Sequence, residues 1–511
     1  MGTYIARRLL LMIPTLLGIT LLVFSLVALA PGGIGAGLQV SGGQMSDTSR
    51  VMQMQAYLED RYGLNDPVIV QYGRWLAQIS PLKFGPRFLR APSGDWVHPP
   101  RELPEPPLQG WFAPPDAEQM RQGRTAGLAM FEALAGEDPH ERHRQLQRQA
   151  EGARRAYVGS IRAFREALAD YARSVGQSER LDARGGADPA RFEGLQPDRA
   201  DASWAALDAA AVGMHRDLLA AVRANASLQA SFDARPYPPV GVPVLPDLVW
   251  LGPPDLGVAF SKNRPVADLI ASALPVTLLL NLIAFPIIYL VAIPTGVLAA
   301  MRRGTWVDSA IGAVFLALWS VPTVLAGVLA IGFLANNQYL GLFPVSGLHD
   351  TQAEDWTFLP TFADGFERGW LLDLLWHVAL PVLCLVYGGF AVLSKQCRAA
   401  MLENLSADYV RTAKAKGVPR QDLVIRHVFR NSLLPLITMF VGIFPAMLGG
   451  SVVVERIFSV PGMGTLILEA IDLRDREIIL ANTFMIACVN LLALLLADIL
   501  YALADPRVSY E

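Results

Sequence analysis

The chain has 511 residues, of which 52% are hydrophobic and only 17% are charged, and its formal net charge at pH 7 is -3. Soluble domains carry about 25% charged residues, so this composition excludes an ordinary soluble protein and indicates an integral membrane protein. The cysteines lie in or beside apolar stretches and indicate no disulfide framework: Cys384, Cys397 and Cys488.

The first apolar stretch covers residues 9–29 and follows the basic pair Arg7 and Arg8. Small residues at its end, Ala28 and Ala30, imitate the cleavage site of a secretory signal peptide. The apolar run is nevertheless longer than the roughly 7–15 residues that are usual in such a signal. We therefore expect residues 1–30 to form a retained first transmembrane helix.

A long polar segment follows at 31–265, and we expect it to lie outside the cytoplasm. It contains many arginines, but long loops and domains cross the membrane largely regardless of charge. Three stretches rich in Ala, Arg, Glu, Gln and Leu are predicted to be helices: 116–136, 139–175 and 200–228. Proline-rich linkers at 89–115 and 237–254 bracket them, which predicts a helical insert at about 80–248.

The middle one of these predicted helices carries apolar residues at spacings of three and four. Such spacing is typical of a helix with one buried face. The stripe consists of Leu146, Ala150, Ala153, Tyr157, Ile161, Phe164, Leu168 and Tyr171. We therefore expect it to form the core of the insert.

Five further apolar stretches are long enough to cross a bilayer, which takes about 20 helical residues: 269–301, 307–334, 372–393, 433–454 and 478–503. With the first stretch they predict an all-α membrane protein of about six transmembrane helices, five of them in a core domain at 266–511. Prolines inside these stretches predict kinks, because they free backbone carbonyls: Pro286, Pro294, Pro322 and Pro445.

Basic residues predict which loops face the cytoplasm, because Lys and Arg accumulate in short cytoplasmic loops. Basic residues precede the first span, and Arg302 and Arg303 lie between the second and third spans. The loop at 394–434 is rich in Lys and Arg. The loop at 336–370 is predominantly acidic, as expected outside. Both termini are therefore predicted to be cytoplasmic.

Motifs for nucleotide binding and catalysis are absent from the sequence. It has no G-x-x-x-x-G-K-[ST] phosphate loop, no H-E-x-x-H zinc motif and no G-x-S-x-G nucleophile elbow. We therefore expect no catalytic residue, cofactor or metal in this chain, and no nucleic-acid partner. An ion-coupled carrier remains an alternative, since Asp498 lies within a span. Pairing with a basic residue or snorkelling water would explain that acid more simply.

The basic loop at 394–434 has the local signals of two short helices. Ser406 can cap a helix, and Asp408 suits its first turn, where the helix dipole favours an acid. Gly417 can end this helix, and Pro419 fits the first turn of the next. The pattern predicts a short cytoplasmic helix, a glycine break and a second helix.

This pattern resembles the coupling loop of ABC importer permeases in the dipeptide/oligopeptide group. Arg411, Thr412 and Ala413 stand where the general motif has Glu-Ala-Ala, and Gly417 stands at its glycine. The resemblance implies that the loop contacts a cytoplasmic ATPase. The residues implied in ATPase coupling are Asp408, Tyr409, Arg411, Thr412, Ala413, Lys416 and Gly417.

Other segments resemble the same family in the same order along the chain. They include the opening TYIARRLLLMIPTLLGITLLVFSLVALAPGG, the segment GGSVVVERIFSVPGMGTLILEAIDLRDREII and the ending DILYALADPRVSY. The chain looks closest to permeases of the microcin C and oligopeptide importer type. The insert interrupts the family pattern between about residues 75 and 251.

The resemblance implies a type I importer permease of the bacterial cytoplasmic (inner) membrane that translocates di-/oligopeptides or peptide-like compounds. Its implied partners are the lipid bilayer, a second permease subunit, two ATPase domains that hold ATP and Mg, and an extracytoplasmic solute-binding protein. Nickel chelates and glutathione remain alternative substrates. The insert either contacts the binding protein or covers the pathway entrance, or it mainly stabilises the assembly.

Polar residues in the predicted spans are candidates for lining the transport pathway: Asn281, Ser320, Asn482 and Asn490. Hydrogen bonding between helices is the commoner use of such groups in membranes, so both interpretations stay open. Pro461, Gly462 and Gly464 predict an outer turn after the fifth span.

Overall fold

The computed structural model describes residues 2–29, 67–92, 96–181, 185–245, 248–262, 264–362, 366 and 368–504. The chain divides into two compact units. The membrane unit comprises Met1–Leu38 and Leu256–Glu511, and the polar unit comprises Gln39–Asp255. The predicted cleavage-like alanine at position 30 and the segment after it lie outside the described residues.

Helix α1 (Gly2–Leu29) belongs to the membrane unit, and α2 (Val68–Ile79) opens the described part of the polar unit. Three longer helices form the body of the polar unit: α3 (Ala117–Ala133), α4 (Pro139–Ser174) and α5 (Trp204–Asp233). These confirm the helices predicted at 116–136, 139–175 and 200–228.

Side-chain caps explain where two of these helices begin. Asp116 accepts the backbone N–H of Gln119, whose side chain accepts the N–H of Asp116 in return. Asp138 accepts the backbone N–H groups of His140 and Glu141, while Pro139 occupies the first helical position. Both arrangements satisfy N–H groups that a helix start leaves without partners.

The predicted apolar stripe of α4 lies in the core of the polar unit. Leu146, Tyr157, Phe164 and Leu168 are fully buried, and most of the stripe packs against residues of α5. Helix α3 approaches α5 at Gly127, where a Cβ atom would lie 2.3 Å from the carbonyl oxygen of Arg223. Only glycine permits this close crossing of the two helices.

Short strands form three small antiparallel sheets among the described residues. In chain order they are β1 (Leu82–Phe84), β2 (Leu89–Arg90), β3 (Trp96–Val97), β4 (Val242–Leu245), β5 (Val249–Leu251), β6 (Val258–Ala259) and β7 (Arg264–Pro265). The sheets pair β1-β5-β4, β2-β3 and β6-β7. The proline-rich linkers predicted at 89–115 and 237–254 also contain strands, because β2 and β3 lie in the first and β4 and β5 in the second. Strand β5 pairs with β1, which precedes the three long helices of the polar unit.

A buried histidine makes the stability of the polar unit depend on pH. His143 is 1% exposed, and its Nδ1 lies 2.9 Å from the hydroxyl of Ser231. Burial lowers the pKa of His143 below its usual value of 6.5. The unfolded chain therefore takes up a proton at a higher pH than the folded unit does. The stability contributed by neutral His143 is present above pH 6.5 and is lost as the pH falls through the folded pKa.

We expect backbone amides of α4 and α5 in the full chain to exchange hydrogen faster at about pH 5.5 than at about pH 7.5, after correction for intrinsic rates. The His143→Gln variant controls for the other histidines and should lose most of this pH dependence. An unchanged pH dependence in that variant would assign the effect to groups other than His143.

The membrane unit continues with a long series of helices. They are α6 (Val266–Met301), α7 (Trp306–Ser320), α8 (Thr323–Leu329), α9 (Gly369–Leu405), α10 (Asp408–Ala415), α11 (Arg420–Asp422), α12 (Leu433–Val441), α13 (Ile443–Gly449), α14 (Val452–Ile457), α15 (Met463–Leu473) and α16 (Arg476–Ala504). Within the described residues 5 stretches are long and apolar enough to cross a membrane, or up to 6 if a bent pair counts as one span. The predicted all-α class with about six spans is confirmed.

The bent pair is the third predicted span, at 307–334. Helices α7 and α8, the latter continued by a π-helical turn at Ala330–Ala335, meet at an angle of 85°. Pro322 has no N–H to continue α7, and at this break the carbonyl of Val321 accepts the hydroxyl of Tyr387 at 2.8 Å. The kink predicted at Pro322 is therefore a complete break, whereas α6 continues through Pro286 and Pro294.

Helices α6 and α9 form the centre of the membrane unit and run parallel. Gly389 packs on Ile288, and Gly296 packs on Ser394 and Cys397 farther along both helices. A Cβ atom at Gly296 would lie 2.7 Å from the carbonyl oxygen of Ser394. Small residues allow this close approach, the usual basis of helix packing in membranes.

Candidate functional site

The loop after α9 folds as a compact hairpin, which we call the coupling hairpin and define as residues 406–432. Its first helix, α10, starts with Asp408 in the first turn, as predicted. The predicted cap at Ser406 is wrong, because Ser406 instead ends α9 and its hydroxyl donates to the carbonyl of Glu403. Pro419 caps α11 rather than occupying its first turn.

Gly417 ends α10 in a left-handed conformation, with φ at +77°. Its N–H donates to the carbonyl of Lys414, and the N–H of Val418 reaches back to the carbonyl of Ala413. This pair of bonds is the Schellman arrangement, in which glycine avoids the strain that a Cβ atom would bring. The predicted glycine break is confirmed.

One face of α10 is buried against the second half of the hairpin. Val410 and Ala413 belong to the same apolar cluster as Leu423, Val424 and Val428. The last three lie on a π-helical segment, Leu423–Phe429, that follows α11. Ala413 thus packs inside the hairpin and is not available for an external contact.

The opposite face and the tip of the hairpin are exposed. The side chain of Asp408 is 94% exposed and that of Arg411 is 75% exposed, and the two form a loose ion pair at 3.4 Å. Thr412, Lys416 and Gly417 are exposed as well. This surface is basic, because residues 408–435 contain more Lys and Arg than Asp.

Hydrogen bonds connect the hairpin to the spans on either side of it. The hydroxyl of Tyr409 donates to Oδ1 of Asn404 at 2.6 Å. The amide of Asn404 donates to the hydroxyl of Ser432, which donates to the carbonyl of Ala400. These hydrogen bonds link α10 to the end of α9 and to the segment that leads into α12.

The four candidate pathway residues lie in different environments. Asn281 is buried, and its amide donates to the carbonyl of Thr277 in the same helix. Asn482 is 6% exposed, and within the described residues its Oδ1 makes no hydrogen bond. Ser320 and Asn490 are exposed on this chain. The described contacts do not bring these four residues into one site.

A carboxylate that the sequence analysis did not single out joins three helices. Glu455 in α14 is 0% exposed. Its Oε1 accepts the hydroxyl of Thr277 from α6 and the backbone N–H of Ser451, and its Oε2 accepts the N–H of Thr465 from α15. The hydroxyl of Thr277 also accepts the N–H of Met463. A lone acid in an apolar stretch was the available signal.

Glycines around Glu455 make room for its carboxylate. A Cβ atom at Gly462 would lie 2.6 Å from Cδ of Glu455, and one at Gly464 would lie 2.6 Å from the backbone nitrogen of Val452. Gly450 also lies against the carboxylate, with φ at +69°. The predicted outer glycine turn is therefore a packed junction between α6, α14 and α15.

The intramembrane acid Asp498 has a basic partner. Its Oδ2 lies 2.9 Å from Arg8 and accepts the hydroxyl of Tyr4 at 2.9 Å. Farther along the same helix pair, Arg476 lies over the ring of Phe24. Helix α1 therefore packs antiparallel to α16, and the predicted pairing of Asp498 with a basic residue is confirmed.

Comparison with known proteins identifies the family. The family described as binding-protein-dependent transport system inner membrane component matches residues 292–510, a range that includes the coupling hairpin and Glu455 but not Thr277. The polar unit lies outside that range.

Individual relatives match about half of the chain. The oligopeptide transport system permease protein AppB of Bacillus subtilis (strain 168) is 37% identical over 267 residues, or 52% of this chain and 79% of AppB. The inner membrane ABC transporter permease protein YejB of Escherichia coli O157:H7 is 35% identical over 258 residues, or 50% and 68%. A putative peptide transport system permease protein of Brucella abortus (strain 2308) is 37% identical over 257 residues, or 50% and 76%. The chain therefore belongs to the inner-membrane permease components of binding-protein-dependent ABC transport systems.

Proposed function

We propose that this chain is the permease subunit of an importer that carries di-/oligopeptides or peptide-like compounds across the cytoplasmic membrane. The substrate class is supported by the peptide transport named for its relatives. The observation that carries the mechanism is the coupling hairpin, whose basic tip is exposed while its base packs into the cluster that contains α9.

The hairpin suits the transmission of motion from an ATPase. Its tip offers Arg411, Lys416 and Gly417 to a partner, and its buried face moves with the end of α9. A complementary partner groove would carry acidic groups, because interface potentials are usually matched. In this proposal ATP and Mg are held by two partner ATPase domains, and this chain has no catalytic residue.

The remaining partners and the topology form part of the same proposal. A second permease subunit completes the pathway, and an extracytoplasmic solute-binding protein delivers the substrate. Residues 31–265 lie outside the cytoplasm, with the insert at about 80–248, while 266–511 forms the core domain. Both termini and the loop at 394–434 are cytoplasmic.

Gentle detergent extraction from the native membrane, followed by mass spectrometry of the co-purifying proteins, tests this proposal. Recovery of a second permease, ATPases with phosphate loops and a peptide-binding protein is expected. Uptake of labelled peptides by the recovered complex in liposomes should then require ATP. Uptake of a nickel chelate or glutathione in preference to peptides would redirect the substrate assignment within the same class of importer.

The ion-coupled alternative makes a different prediction for Asp498. Because this acid pairs with Arg8 and Tyr4, Asp498→Asn should lower stability and leave uptake independent of the proton gradient. Removing one partner of a buried pair costs about 3–5 kcal/mol, and the partial exposure of Arg8 makes a smaller loss the expected result. Uptake measured in ATP-free liposomes under an imposed pH gradient checks this, and no uptake is expected there. Gradient-driven uptake that Asp498→Asn abolishes would favour the carrier.

A further inference from the structure

In the sheet β1-β5-β4 of the polar unit, β1 and β5 have one buried and one exposed face, and all four residues of the edge strand β4 are exposed. Lys83 of β1 pairs with Trp250 of β5, and both are buried. Their neighbours point the opposite way, since side chains alternate along a strand. Leu82 pairs with Leu251, and Leu251 pairs in turn with Val242. Apolar side chains thus line up across all three strands on the outward face.

This apolar sheet face consists of Leu82, Phe84, Val242, Leu245 and Leu251, and Leu248 lies in the turn that leads into β5. These six side chains are between 45% and 76% exposed. Phe84 is the most exposed of them, at 76%. Exposed apolar side chains are common singly, but a contiguous patch of this kind marks an interaction surface.

The position of the face in the chain indicates what covers it. Strand β5 ends at Leu251, and Leu256 already packs against the apolar cluster at the start of α6, which includes Val266 and Leu269. A residue spans at most about 3.6 Å, so the chain holds Leu251 within roughly 18 Å of Leu256. Only residues 252–255 separate β5 from the segment that leads into the first long span of the core domain.

The chemistry of the face also favours lipid over an aqueous protein partner. Residues 237–254, which include β4 and β5, contain one charged residue, Asp247. Protein interfaces surround an apolar centre with a polar rim that supplies hydrogen bonds. A surface built from Leu, Val and Phe instead matches the acyl boundary of a bilayer, into which amphipathic elements sink about 5–10 Å.

We propose that the apolar sheet face is a membrane-resting surface that lies on the outer leaflet. Phe84 and Leu248 insert into the region between head groups and acyl chains, while Trp250 and Lys83 remain in the core of the polar unit. Contact with neutral lipids suffices, because the face carries no basic residue. The proposal rests on the extracytoplasmic placement of the polar unit proposed above.

Fluorescence quenching in lipid nanodiscs tests this surface on the full chain. Cys384, Cys397 and Cys488 are first replaced by serine, and Phe84→Cys or Leu248→Cys is labelled with an environment-sensitive dye. Val212→Cys is the matched control, because Val212 is a 63% exposed apolar residue of α5. Val212 lies 20 positions before Phe232, which packs beside β2 and β3. Val212 and Phe232 are therefore about 30 Å apart along the helix.

Doxyl-labelled phosphatidylcholine is expected to quench the dye at positions 84 and 248 at least about twofold more than at 212. Aqueous iodide should show the reverse order. In the Leu248→Cys variant, the additional change Phe84→Asp should reduce lipid quenching of the dye. It should not unfold the chain, because Phe84 is exposed.

Equal quenching by lipid and by iodide at 84 and 212 would overturn the proposal. Protection of position 84 only after addition of a solute-binding protein would overturn it too and would identify a protein-binding surface. Because nanodiscs expose both leaflets, the lipid signal does not depend on which side the polar unit occupies or on transport, so a failure here is distinct from a failure of the proposed function.

Discussion

Gly417→Trp is expected to abolish peptide uptake while the complex continues to hydrolyse ATP. In the structure a Cβ atom added at this position would meet no atom of the chain within 4 Å, and the φ of +77° opposes substitution. That strain costs about 1–2 kcal/mol, too little to unfold the membrane unit. The indole would instead stand on the exposed tip of the coupling hairpin and separate it from the ATPase. Loss of a central interface contact costs more than about 2 kcal/mol, so uptake should fall more than tenfold.

Gly304→Trp is the matched control for this change. Gly304 has φ at +75°, has open space around it and lies in the turn between α6 and α7, outside the coupling hairpin. Both variants should lose similar stability in thermal unfolding, but only Gly417→Trp should separate ATP hydrolysis from uptake. Normal coupling in Gly417→Trp would remove Gly417 from the proposed ATPase contact.

Gly464→Ala is expected to destabilise the membrane unit, although alanine favours helices. Within α15 this change alone would add about 0.5–1 kcal/mol of stability. At Gly464, however, the new Cβ atom would lie 2.6 Å from the backbone nitrogen of Val452 and 2.9 Å from Oε2 of Glu455. Overpacking of this kind costs about 1–3 kcal/mol or more. The midpoint of thermal unfolding in nanodiscs should therefore fall by an amount on the order of 5 °C.

Three further variants distinguish the contribution of the Glu455 junction to stability from general effects of alanine. Gly312→Ala in α7 meets no atom within 4 Å and should be neutral or stabilising. Thr277→Val removes the hydroxyl that serves both Glu455 and Met463 and should cost about 1–3 kcal/mol, whereas Thr277→Ser should retain both bonds. Equal stability of the Val and Ser variants would show that this hydrogen-bonded junction contributes little.

The helices of the polar unit and the glycine break of the coupling hairpin could be predicted because their signals are local. The stripe from Leu146 to Tyr171 repeats with the helical period, and Gly417 has the conformational freedom that a helix end requires. The cap at Ser406 was mispredicted for a local reason too, since α9 extends farther than its apolar stretch and includes the residues before Ser406. Composition shows where a span is apolar, but not where its helix stops.

The amino-acid sequence by itself determined the membrane class, the approximate spans, the helical insert and the presence of a hairpin between the fourth and fifth spans. Each of these follows from hydrophobic content, from helical periodicity or from the preferences of single residues. Only the tertiary structure decided that β1 pairs with β5, that α7 and α8 break at 85° and that Ala413 faces inward. It also decided that Glu455 joins α6 to α15 and that Asp498 meets Arg8. These features depend on contacts between residues far apart in the chain. A local pattern can mark an acid in a span as unusual, but it does not say which distant residue that acid meets.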